Sequence, residues 1–384
     1  MISLIADEEA RKKAFPITQN KIFMAHAAVT ALPRVVADAI IQFTEKSAAN
    51  FENFAEILKM LQQTRASAAR LIGSSPDEVA LIGPTSLGLS LFANGIDWQK
   101  DDEVICYLDD YPANVYPWLN LRSRGVNVRL LEPAAPGVIT PELVAEAVTP
   151  KTRLVALASC NFLSGYRIDI NAIGRFLRER EILFSLDAIQ TLGAFPTTVE
   201  YVDFLSADAH KWMLGPLAIG IVCVRRECFD LCCPTLLGSW NVKAPGFVAQ
   251  EEIEFQPTAQ RYEPGAMNTI GIAGMKAGID LLLEIGIERI AQRILSIRER
   301  LVNGLKQLGF EIVGQSTGSS ASGIVAFSHP QKNLPALFEQ LGRADIVCSL
   351  RQDRQGRHYL RFSPHFYNTE AEVDRVLDVV ERAG

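Results

Sequence analysis

The chain has 384 residues, 48% hydrophobic and 21% charged, which suits a large packed core and excludes a wholly disordered chain. The net charge of -6 and scattered Lys and Arg exclude a phosphate-backbone binder, so no nucleic-acid partner is expected. No apolar run reaches the ~18–20 residues a membrane span needs, and Met1–Lys13 is too charged for a signal core.

Seven cysteines occur without a CxxC pair, most of them in apolar runs, which predicts reduced thiols in a cytoplasmic protein. In chain order, Phe51, Phe54, Ile57, Leu58 and Leu61 have helical spacing and predict a helix over Asn50–Ile72, stopped by Gly73. Ser75-Pro76-Asp77-Glu78 has the pattern of a capped helix start. Strand-length apolar runs follow at Val79–Ile82, Glu103–Leu108, Val126–Leu131, Arg153–Cys160, Ile182–Leu186, Val202–Ser206 and Ala218–Val224. Helical patterns at Ser86–Asn94, Ala113–Arg124, Pro141–Val148 and Ile170–Arg180 lie between them. This alternation predicts an α/β fold, a mainly parallel sheet with flanking helices.

From Ile270 the pattern changes. Two long helical stretches, Ile270–Glu284 and Ile287–Leu308, precede short strands at Phe310–Val313, Gly323–Phe327, Ile346–Ser349 and His358–Phe362. Helices at Leu334–Leu341 and Glu370–Arg382 mix with them. The expectation is a large α/β domain over residues 22–262 and a smaller α+β domain from residues 1–21 and 263–384.

The chemistry concentrates in Phe184-Ser-Leu-Asp187-Ala-Ile-Gln190 and Asp208-Ala-His210-Lys211. Asp187 ends an apolar run, which puts a carboxylate at the carboxyl end of a buried strand, where open α/β sheets bind ligands. Lys211 sits in an apolar turn bounded by Gly215-Pro216. Desolvation there lowers an amine's pKa and makes it nucleophilic. Taken singly, Asp187 reads as a turn residue and Lys211 as a solvated lysine. Together with Gln190 and His210 they match what pyridoxal phosphate demands: a Schiff-base lysine and a carboxylate facing the pyridinium nitrogen.

Other segments extend the pattern: Gly83-Pro-Thr85-Ser86-Leu-Gly88, Asp109-Asp110-Tyr111-Pro112-Ala113-Asn114, Cys160-Asn161, and Tyr359-Leu-Arg361-Phe-Ser-Pro-His-Phe-Tyr-Asn368. With these the chain resembles class V aminotransferase-family enzymes, fold-type-I pyridoxal-phosphate proteins related to cysteine desulfurases and isopenicillin-N-epimerase-like proteins, from Ile22 to Val380. The resemblance implies that Thr85, Ser86, His210 and Trp240 hold the phosphate. It places Tyr111 on the ring face, where desulfurases usually carry histidine. Asn161 serves the phenolic oxygen, and Gln190 the same oxygen or the Schiff-base side. Arg361 grips the substrate α-carboxylate, and His26 lines the substrate site.

Three departures stand out. Asp208 occupies a position where many relatives have a phosphate-binding serine, so its carboxylate must point elsewhere or the pocket is rearranged. Gly265-Ala266-Met267-Asn268 lacks the hydroxyl of the family's Gly-Thr-x-Asn segment at the dimer interface. The polar loop after Cys348 holds no cysteine, which disfavours a cysteine desulfurase. The five histidines have no ligand-like spacing, so no metal is expected. The implied protein is a homodimer acting on an amino acid, by amino-group transfer first. A C–S or β-lyase, an amino-acid epimerase and a non-catalytic binding protein of this fold stay open as alternatives.

Overall fold

Strands covered on both faces read as unbroken apolar runs. A computed structural model, describing residues 7–50, 53–315 and 317–382, shows where those runs go. The described strands are β1 (Ile22–Phe23), β2 (Val79–Ala80), β3 (Glu103–Cys106), β4 (Asn127–Leu130), β5 (Thr152–Ala158), β6 (Leu183–Asp187), β7 (Phe204–Asp208), β8 (Gly220–Val224), β9 (Glu311–Ile312), β10 (Val325–Ser328), β11 (Ile346–Val347), β12 (Ser349–Gln352) and β13 (His358–Phe362).

Seven of them form one sheet in the order β2-β8-β7-β6-β5-β3-β4. Neighbours from β7 to β4 run parallel, and β8 and β2 close one edge with antiparallel pairings. Every residue of β3, β7 and β8 is buried. A second, antiparallel sheet has the order β12-β13-β10-β9. Ile22 and Phe23, at the start of the expected large domain, pair in parallel with Ile346 and Val347.

The helix expected over Asn50–Ile72 spans Phe54–Ile72; its side-chain cap is Asn53, and residues 51–52 lie outside the described ones. Gly73 ends it with φ 69°, a left-handed turn that glycine adopts without a Cβ clash. Ser75 and Glu78 form a reciprocal capping box on a single 3-10 turn. The expected helix Ala113–Arg124 is broken into the short pieces Pro112–Asn114, Tyr116–Asn120 and Leu121–Arg124. Pro112 and Pro117 each sit in a first turn, where a missing N–H costs nothing.

The helix Arg34–Ala49 was not anticipated. Val36 is its one buried side chain, and Ile40 and Phe43, at helical spacing from it, are half-buried. It packs on the helix Thr269–Ile285. Among the described residues no helix is long and apolar enough to cross a membrane.

Candidate active site

Parallel strands end together, so β5, β6 and β7 deliver Ala158, Asp187 and Asp208 to one edge of the sheet. A cavity of about 340 Å³ opens there, lined by Thr85, Ser86, Tyr111, Asp187, Gln190, Asp208, His210, Lys211, Arg351 and Arg361, among others. Lys211 follows β7 in a tight turn and is buried. Its Nζ lies 5.2 Å from the centre of the Tyr111 ring. Burial pulls the ammonium down to about 8; Asp187 opposes the shift, and Arg361 and Arg351 add to it. Burial pushes Asp187 up to about 6, against the pull of the Ile189 N–H and of Lys211. That N–H donates to Asp187 Oδ1 at 3.0 Å, which fixes the carboxylate.

The helix Thr85–Gly95 begins after Pro84 with no side-chain cap, so its first N–H groups lack a capping side chain at the cavity wall. Thr85 Oγ1 accepts the Asp208 N–H at 2.9 Å. His210 Nδ1 lies 2.8 Å from Asp208 Oδ2. Gln190 is held at both ends: its amide donates to the Ala27 carbonyl at 3.1 Å, and its oxygen accepts the Trp212 indole N–H at 3.0 Å.

Arg361 projects from β13 and is 1% exposed. Its Nη1 donates to the Phe162 carbonyl at 2.5 Å, while Nε and Nη2 are buried without a partner. Burial, then the Arg351 charge, pulls its pKa below the arginine range. A buried guanidinium with two vacant donors is costly unless an anion completes it.

Three sequence candidates lie outside this cavity's lining. Asn161 faces a neighbouring cavity of about 670 Å³, and its Oδ1 accepts the Leu163 and Ser164 N–H groups to close a turn. Trp240 packs edge-on to Phe54 with ring centres 5.9 Å apart. His26 is wholly buried between the Ser363 carbonyl, 2.9 Å from Nδ1, and the Tyr367 hydroxyl, 2.8 Å from Nε2. Burial and His365 hold its pKa well below the ordinary value.

Two residues were missed. Arg351 pairs with Tyr359 while Ser349 pairs with Arg361, so all four share one face of the hairpin. Opposed residues in an antiparallel pair point the same way, and diagonal neighbours sit roughly 7–8 Å apart. Reading Ser349–Gln352 as a strand paired with His358–Phe362 would have found it. Asp110 is buried beside Asp187; burial first, then the Asp187 charge, pushes its carboxyl up to about 7. Its Oδ2 accepts the Ala158 N–H at 3.0 Å and the Asn114 amide at 3.2 Å. No local pattern sets it apart from the exposed Asp109.

Comparison with known proteins places this geometry. The Aminotransferase class-V family model matches residues 22–376. A probable cysteine desulfurase of Methanothermobacter thermautotrophicus is 26% identical over 401 residues, covering 96% of each chain. The solved apo cysteine desulfurase of Thermococcus onnurineus NA1 superposes with a TM-score of 0.90 at 23% identity, over 98% of this chain and 97% of that one. A solved mutant of C-DES with glycine covalently linked to its PLP cofactor gives 0.88 at 21% identity, over 97% of this chain and 99% of that one. At these identities the two structures speak for the fold. The desulfurase relatives run against the expectation that disfavoured that activity.

The residues present fit pyridoxal phosphate. The desolvated Lys211 amine suits its aldehyde, the buried Asp187 its ring nitrogen, and the uncapped helix start at Thr85 its phosphate. The family match runs through both sheets, and the chain therefore belongs to the class-V aminotransferase family, whose members are pyridoxal-phosphate-dependent enzymes.

Proposed function

We propose that the protein cleaves a sulfur-bearing α-amino acid by β-elimination, with Lys211, Asp187 and Arg361 as the working residues. The carrying observation is that Arg361, with two unpartnered donors, and the desolvated Lys211 line one cavity. Arg361 binds the α-carboxylate through its two open donors and so orients Cα toward Lys211. When bound, pyridoxal phosphate supplies an aldehyde for the substrate amine and a ring that acidifies the α-proton. Lys211, with its pKa lowered to about 8, has a free-amine fraction near neutral pH and takes that proton. Asp187 holds a proton on the ring nitrogen. Tyr111 packs over the lysine end of the cavity, and Gln190, locked by Trp212 and Ala27, keeps its amide fixed.

The sulfur leaving group is supported by the desulfurase relative. Release as a free product, rather than transfer to a protein thiol, is supported by the cysteines themselves. Among the described residues none lines the cavity, and Cys348 is buried with its thiol pushed up to about 12. For cysteine the balance is cysteine plus water giving pyruvate, ammonia and sulfide.

The test is incubation of the yellow holoprotein with L-cysteine, L-cystine, L-aspartate and L-alanine. Pyruvate, ammonia and reduced sulfur should appear together from the sulfur amino acids. Accumulation of the pyridoxamine form with stoichiometric keto acid would establish amino-group transfer instead. Spectral silence across the panel would leave a binding protein. A homodimer belongs to the same reading: Val35, Ile41, Phe54, Leu237, Phe247 and Ile270 are large, apolar and exposed, the kind of surface a second copy covers. Ile41→Glu should shift sedimentation toward the monomer.

A further inference from the structure

Asp208 poses a problem that the reaction leaves unsolved. It ends β7 at the cavity, 2% exposed, beside the helix start expected to hold a phosphate. A carboxylate there repels a phosphate unless its charge is directed elsewhere. The fold directs it. Oδ1 is buried without a partner, against Gly83 and Gly220. A Cβ built on Gly83 would stand 2.4 Å from Oδ1, and one on Gly220 2.9 Å from it. Two side-chain-free backbones thus leave room for this carboxylate oxygen. Oδ2 accepts His210 Nδ1–H at 2.8 Å. The His210 ring lines the cavity, and this contact leaves Nε2 as its open nitrogen. The Thr30 N–H, bonded to the His210 carbonyl at 2.7 Å, fixes the backbone beneath the ring.

We propose that Asp208 is a positioning residue for the cofactor phosphate, acting through His210: its carboxylate holds Nδ1 and so fixes the ring with Nε2 turned toward the phosphate. The same aspartate–histidine logic orients metal-binding histidines, where removing the outer partner costs about 10–100-fold in affinity. The inference rests on the reading that the phosphate sits at the start of the helix Thr85–Gly95.

The test is equilibrium titration of cofactor-free protein with pyridoxal phosphate and with pyridoxal, which lacks the phosphate. Asp208→Ala should weaken pyridoxal phosphate about tenfold and leave pyridoxal unchanged. His210→Gln should do the same, and the double variant should be no weaker than His210→Gln alone, because the aspartate acts through the ring. Tighter binding of pyridoxal phosphate by Asp208→Ala would make the carboxylate a plain repulsive charge and overturn the proposal. Additive losses in the double variant, or loss of pyridoxal binding as well, would overturn it too. If the unmodified protein binds neither ligand, the cofactor reading itself falls.

Discussion

Two cavities adjoin each other and differ in how their charges are satisfied. In the larger, about 670 Å³, Arg354 and Asp353 already have partners. Arg354 holds Asp109 Oδ1 at 2.6 and 2.8 Å and reaches the Leu108 carbonyl at 3.1 Å. Asp353 accepts the Gln355 and Arg357 N–H groups and the Tyr359 hydroxyl. The smaller, about 340 Å³, gathers vacant buried donors on Arg361 and Arg351, whereas no residue of the larger one has a vacant buried side-chain atom. Volume alone would choose the larger of the two. Unmet electrostatic demand chooses the one that a charged ligand completes.

The contrast is broken most severely at Lys211. Lys211→Ala should lower turnover about a thousandfold or more and abolish borohydride fixation of the cofactor, while weak non-covalent binding survives. Near-normal turnover would move the chemistry out of this cavity.

The same lysine gives the cofactor-free protein a pH signature. Its ammonium pKa falls from the ordinary 10.5 to about 8 in the fold. Between those values the unfolded chain holds more protons than the native state, so stability rises with pH across that window. Below pH 8 the buried ammonium costs roughly 3 kcal/mol. Lys211→Met should therefore be more stable than the unmodified protein at pH 7, and the gap should close toward pH 10.5. Denaturant melts of both proteins at several pH values measure this, and a gap that stays constant with pH would show the amine to be solvated.

Next in size is Arg361. Arg361→Met should raise KM for the amino acid about thirtyfold, the worth of a charge-assisted hydrogen bond of about 2 kcal/mol. It should leave the ligand-free melting temperature unchanged or raise it, because a buried, half-paired cation has been removed. A lower melting temperature with unchanged KM would make Arg361 a structural cation.

Asp187, Lys211 and Arg361, which line one cavity, stand out in the sequence because each ends or punctuates an apolar run of strand length. The alternation of strands and helices gave the sheet for the same reason. What stayed hidden depends on contacts between distant segments. The strand expected over Val202–Ser206 runs over Phe204–Asp208, because Gly220 opposite and His210 beside it let an aspartate close a buried strand. Arg351 reads as a loop residue until β12 pairs with β13. Asp110 and Asp109 are neighbours of identical chemistry, yet one is buried under the Ala158 N–H and the other is tied to Arg354 at the surface. His26 sits one residue before the cavity wall at Ala27 and faces the aromatic core instead.

The smallest expected effect tests the satisfied side of the contrast. The Arg354–Asp109 pair is about half exposed on both partners, so Arg354→Ala should cost about 0.5 kcal/mol of stability or less. That difference should shrink further at 1 M salt, where the screening length is only about 3 Å. Turnover and cofactor affinity should stay within about twofold, since surface pairs of this kind carry so little energy. The pair nevertheless ties the β12–β13 turn to Asp109, two residues before Tyr111, whose ring lies over Lys211. A tenfold loss of turnover at unchanged stability would therefore mean that the tie holds Tyr111 in place, and that the larger cavity, for all its paired charges, takes part in the reaction.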